Sequence, residues 1–349
     1  MENNMSRVLV ETVALKALER IKDNPERGIR NMIDMALQFS KGRFQQNFFT
    51  TAQTMLQNEN SAYYALVRDV VLHTDTDRLF TFGMNLGYNG CTVGARRIRE
   101  NEKKMDCNIP WAVTIQIDAS RFSENQRRYH AVIQEGEALG IYVWMLFPSE
   151  SPQRILSLAQ EHGDSAFCIF CNTDDLTAAF LDDVALLHNV MLVVRYDENE
   201  TDVYATLKSM GLLYSVWHPY GQADVEMIIN GDLFSSTQQL TPTFTVFLAE
   251  PDCSDMVQRL AYQSVRRARS EQTYRTLLWE FQGDISMVDA VISDDTCSVC
   301  FDQNGDLCDW HNKNDPNALN ILKSDLAAIL MCARPKKADK EKTGKIING

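Results

Sequence analysis

A full or partial (β/α) barrel of parallel strands is the architecture this sequence predicts, with a helical domain before it and a small α+β extension after it. Three observations carry that prediction. Short β-rich runs recur between about residues 78 and 250, helix-like stretches separate most of them, and the runs are apolar on both faces. Strands of that kind must be covered by helices or closed into a barrel. Alternating strands and helices build a parallel sheet with right-handed crossovers. Six to eight such units favour a barrel over an open doubly wound sheet.

Residues 1–75 are read as a helical domain. Asn24-Pro25-Glu26 is a start signal: a capping side chain, then a proline whose missing N–H costs nothing at a first helical position. Ile29, Met32, Ile33, Ala36 and Leu37 follow the spacing of one buried helical stripe. The barrel is assigned to residues 76–270. Its expected strands are Leu79–Met84, Ala112–Ile117, Ile141–Phe147, Ala166–Cys171, Val190–Tyr196, Tyr214–Trp217 and Phe244–Leu248, with Val225–Ile229 a weaker candidate. Residues 271–333 form the extension, with helix expected over Tyr274–Phe281 and a hairpin over Val299–Cys308, where Asn304-Gly305 is a strong turn signal. The Lys-rich tail 334–349 is expected to be disordered.

Composition narrows the function classes. A net charge of −13 disfavours nucleic acid and anionic membranes as partners. The chain opens on polar Met1-Glu-Asn-Asn and has no apolar run near the roughly 20 residues a membrane span needs, so a cytoplasmic protein is expected. Nine cysteines are then most simply reduced thiols.

Parallel strands place active groups at their carboxyl ends. Asp118, Glu150, Arg195 and His218 occupy such positions and are the candidate acid–base set. Asn172, Asp197 and Glu250 are candidate ligand-binding residues on the same reasoning. Asn172 has a second reading, since Asp175 three residues later makes it a helix start. The first loop, Phe82-Gly-Met-Asn-Leu-Gly-Tyr-Asn-Gly-Cys-Thr-Val-Gly-Ala-Arg96, holds four glycines and adds Asn85, Tyr88, Asn89, Cys91 and Arg96 to the ligand-binding candidates. Its backbone suits either an anion or the geometry of a tight turn. It is neither a Walker loop nor a Rossmann fingerprint.

Read as a strand followed by Met-Asn-Leu-Gly-Tyr-Asn-Gly-Cys and a helix, this segment resembles the start of a radical S-adenosylmethionine (radical SAM) domain. In that family a Cys-x3-Cys-x2-Cys loop holds a [4Fe–4S] cluster above a partial barrel. Only Cys91 maps onto that motif; position 94 is glycine and Cys107 lies a helix away. A cluster needs three protein thiolates, so the resemblance implies a cluster-less relative. Separately, Cys297-x2-Cys300-x7-Cys308-x2-His311 has the ligand types of a zinc site. A regular hairpin would set Phe301, not Cys300, opposite Cys308, and would turn Cys297 and Cys300 to opposite faces.

The expected function is binding of a small molecule or peptide at the rim, in an accessory or regulatory role. The alternatives are a barrel enzyme (lyase, isomerase or hydrolase) using the acid–base set, and a protein–protein interaction module working through the helical N-terminus.

Overall fold

The computed structural model describes residues 2–39, 43–293, 295–308 and 319–336. Five helices come first: α1 Glu2–Asp23, α2 Pro25–Phe39, α3 Arg43–Met55, α4 Ala62–His73 and α5 Thr76–Gly83. A π-helix over Met84–Gly94 then leads directly into α6, Ala95–Met105. Proline opens α2 as the sequence predicts, and Ile29 and Ile33 bury into a small cluster with Ile21, Leu56, Tyr64 and Val71.

Strands and helices then alternate: β1 Ala112–Ile117, α7 Phe122–Leu139, β2 Val143–Pro148, α8 Leu156–Glu161, β3 Ala166–Cys171, α9 Ala178–Ala185, β4 Val190–Arg195, α10 Asp202–Ser209 and β5 Tyr214–Tyr220. After them come α11 Val225–Asn230, α12 Asp232–Thr237, β6 Phe244–Ala249, α13 Asp255–Glu271, β7 Leu277–Glu280, α14 Phe281–Ile292, β8 Val299–Phe301, β9 Leu307–Cys308 and α15 Leu326–Ala333. The nine strands form one sheet in the order β7-β6-β5-β4-β3-β2-β1-β8-β9, parallel throughout except for β8 with β9. The architecture is a partial barrel with flanking helices, as the sequence predicts.

The two faces of the sheet have different neighbours. Gly136 of α7 lies against the indole of Trp144, so Trp144 marks the convex, helix-covered face. Register carries that face to Phe167, Val190, Leu192, Val216 and His218. Phe147, Phe170, Val193, Arg195 and Trp217 point the other way. On that concave side Phe147 and Phe170 stack at 4.0 Å, and Phe281 meets both edge-on at 5.9 and 5.6 Å. Helix α14 therefore crosses the concave side. It starts at the carboxyl end of β7 and finishes beneath β1, where Asp289 accepts the Trp111 N–H and Ser293 donates to the Ile109 carbonyl.

Four local expectations are corrected. Leu79–Met84 is not a strand: Asp75 caps a helix there by accepting the Arg78 N–H, and helix runs on to Met105. Val225–Ile229 is helical, and the middle of Tyr274–Phe281 is a strand rather than a helix. The hairpin forms, but Cys300 pairs with Cys308 and Phe301 with Leu307. The reason is the turn. Only Gly305 takes positive φ, its N–H returning to Asp302 O while the Asp302 N–H reaches Asp306 O, so three residues rather than two lie between the bonded Asp302 and Asp306. The Lys-rich tail beyond residue 336 lies outside the described residues.

Candidate functional site

The glycine-rich segment lies at the amino ends of the strands, not at the carboxyl rim. Ala95 N–H bonds Gly90 O five residues back, the π-helical reach. One of its glycines is required by contact: a Cβ on Gly94 would run into the backbone oxygens of Gly140 and Asn89, whereas one on Gly90 would press at 3.2 Å on a methyl of Val143, the first residue of β2. Asn85 and Asn89 are buried and donate to the backbone before β3: Asn85 to Gly163 O and Ser165 O, Asn89 to Asp164 O and to the Asn85 side chain. Their partners make them clamps between helix and loop. Tyr88 and Cys91 are half-buried beside them, burial pushing the Cys91 thiol up to about 12, and Arg96 is exposed on α6. All five therefore stand away from the mouth at which the sequence placed them.

At the carboxyl ends the predicted residues divide between two places. Asp118, after β1, caps the following turn: its Oδ1 accepts the Ser120 N–H at 3.0 Å and the Ser120 hydroxyl at 2.5 Å. The Ser120 hydroxyl is the main reason its carboxyl lies below the usual range. Glu150, after β2, is exposed. Asn172, after β3, closes a capping box with Asp175, the second of the two roles its sequence allowed.

The other group lies at the ends of the next three strands, β4, β5 and β6. Arg195 sits over the ring of Trp217 at 5.7 Å on the concave side. Trp217 is fixed in turn, its indole donating to Cys171 O at 3.2 Å and its ring meeting Phe170 at 6.2 Å. Asp197 folds its own loop by accepting from the Asn199 N–H. His218 is adjacent to Trp217 in the strand and so faces the convex side. Its Nε2 is 3.7 Å from Asp224 Oδ1, beyond hydrogen-bonding range, and neither ring nitrogen has a hydrogen-bond partner. Burial lowers its pKa, Asp224 and Glu250 opposing and Arg195 adding to the shift. Glu250 is exposed, with its carboxylate against Gly221. The four residues read as one acid–base set thus occupy four strand ends, two on each side of β3, and Arg195 and His218 take opposite faces.

Sequence reasoning missed Asp224, Trp217 and Glu280. Asp224 follows β5 in the turn before α11, where Val225–Ile229 was weighed as a strand, and Glu280 fell in a segment read as helix. Glu280 ends β7 fully buried, accepting from the Tyr220 hydroxyl at 2.7 Å and from Gly283 N–H at 2.6 Å. Burial pushes it up to about 7.

A [4Fe–4S] site needs three convergent thiolates, whereas Cys91 lies in a helix at the wrong end of the barrel. Cys300 and Cys308 share a face of the hairpin. Cys297 instead lies buried before β8, its thiol raised chiefly by burial and then by Asp289. Among the described residues no three His, Cys, Asp or Glu side chains converge to hold a metal ion. His311 lies outside those residues. No described helix is long and apolar enough to cross a membrane.

No family model matches the chain, and no curated protein matches it. Solved structures do. Streptococcus suis SuiB bound to S-adenosylmethionine superposes with a TM-score of 0.50 at 11% identity, over 68% of this chain and 67% of that one. SuiB bound to the precursor peptide SuiA gives a TM-score of 0.50 at 12% identity, over 71% and 70%. SuiB is a radical SAM enzyme, and at this identity the likeness is one of fold alone: the chain shares its partial barrel.

Proposed function

We propose that this protein is a cluster-less radical-SAM-like barrel that binds a small molecule or peptide at the β4–β6 carboxyl ends, in an accessory or regulatory role. The observation that carries the reading is the pairing of a radical-SAM-like fold with a cysteine set unsuited to a cluster, Cys91 being held in a helix at the amino ends of the strands. Arg195 over the fixed Trp217 ring supplies a cation and an aromatic surface at the mouth, the combination that receives planar or anionic groups. SuiB has been crystallised with S-adenosylmethionine and with a precursor peptide, which supports looking for both ligand classes.

The test has two arms. Anaerobic reconstitution with ferrous iron and sulfide should leave the protein without a cluster chromophore; a stably bound, coloured cluster would overturn the accessory reading. Equilibrium dialysis of S-adenosylmethionine and of a peptide library should show retention that Arg195→Ala abolishes. Retention unchanged in that variant removes the ligand from this rim.

A second reading rests on His218. A half-buried imidazole whose nitrogens lack hydrogen-bond partners, 3.7 Å from a carboxylate, is suited to act as a general base toward a substrate proton. It makes the protein an acid–base enzyme using His218 and Asp224, without Asp118 or Glu150. A substrate whose turnover survives His218→Gln would exclude it.

A further inference from the structure

On the convex side, where α7 meets the end of α8, two histidines outside the rim are bonded to each other. Nδ1 of His130 lies 3.2 Å from Nε2 of His162, with ring centroids 5.4 Å apart and planes within 24°. That geometry is one N–H···N bond. Carboxylates flank it: Glu161 Oε2 is 3.5 Å from His130 Nδ1, and Glu137 Oε1 is 3.4 Å from His162 Nδ1. Glu137 also accepts the Ser165 hydroxyl at 2.7 Å. Nε2 of His130 is buried without a partner. The other charges at this corner are Asp164, paired with Arg7, and Arg97, which donates to the Tyr142 hydroxyl.

The backbone of residues 162–165 is where the helical N-terminus grips the barrel. Asn85 and Asn89 donate to Gly163 O, Asp164 O and Ser165 O. Arg7 of α1 holds Asp164, and Asn189 donates to His162 O and Ser165 O from the barrel side.

We propose that the His130–His162 pair is a proton-operated latch: it locks the 162–165 corner against α7 until both rings are cationic, and then releases that corner together with the π-helix and α1 attached to it. An imidazole–imidazole bond requires one facing nitrogen with a lone pair. One added proton on either ring still leaves a lone pair on one facing nitrogen, so the bond survives. A second proton puts N–H against N–H between two cations 3.2 Å apart. Burial holds His130 below the ordinary histidine range, Glu161 opposing and His162 adding to the effect. The group is neutral when folded at a pH where the unfolded chain would protonate it, so the lock weakens as pH falls.

Hydrogen exchange of the full chain, corrected for intrinsic rates and followed from about pH 7.5 to about pH 5, tests this. Protection of residues 84–105 and 162–165 should fall about tenfold or more, while β3 and β4 keep theirs. His130→Gln retains an amide that can donate to His162 without titrating, and should hold protection level across the range. Glu161→Gln removes the charge that favours the His130 cation and should move release to lower pH. Flat protection in the wild type overturns the latch, as does an unchanged fall in His130→Gln. Should that variant not fold, a release unmoved by Glu161→Gln overturns it instead.

Discussion

Asp289 and Glu280 are sealed from water, and burial pushes each up to about 7. In the unfolded chain both ionise near pH 4. Folding therefore favours their protonated forms, and the stability they contribute is present below about pH 4 and lost as pH rises through about 7. Urea midpoints should drop between about pH 5 and pH 8, and Asp289→Asn, which keeps an acceptor for the Trp111 N–H, should reduce that drop. The glycines of the π-helix offer a sharper test of packing. A Cβ on Gly94 runs into Gly140 O and Asn89 O, both backbone, whereas one on Gly87 meets nothing within 4 Å. Gly94→Ala should cost about 2–4 kcal/mol, and Gly87→Ala should be neutral or stabilising by up to about 1 kcal/mol, read from denaturant unfolding.

Among the elements, α5 shows how far sequence could reach. Leu79–Met84 is a short apolar run, and such runs suit strand and buried helix equally. The deciding residue is Asp75, whose side chain caps the helix just before the apolar run. Ala166–Cys171 was legible in full because a buried parallel strand has nothing but apolar residues to show. The rim was legible only as a set of positions. His218 could be placed at a strand end, but its carboxylate neighbour, Asp224, comes from the turn after β5, and its facing opposite to Arg195 follows from register, which no local pattern reveals. Helix α5 also carries Arg78, nearly fully buried, whose guanidinium donates to Val184 O, Ala185 O and Leu187 O at the end of α9. Arg78→Met strands those carbonyls and should cost about 2–4 kcal/mol in equilibrium unfolding. Because α5 and α9 meet there, the loss should also expose α5 to protease before β3 or β4.

Across the whole molecule, Phe281 ties the last third of the chain to the middle of the sheet through Phe147 and Phe170. Phe281→Ala should destabilise by about 3–5 kcal/mol and loosen the ring of Trp217, seen as a shift in tryptophan emission. Helix α14 spans the concave side and delivers the chain to β8, which bonds β1 in parallel. Strands adjacent in space are there 186 positions apart along the polypeptide, Val113 facing Val299. On a ribosome β1 emerges early with its outer edge bare, and must wait for nearly the whole chain to be made before β8 arrives. An uncovered edge invites pairing with a neighbouring nascent chain, so the vulnerable interval is synthesis itself, and slower translation past α14 should raise the aggregated fraction.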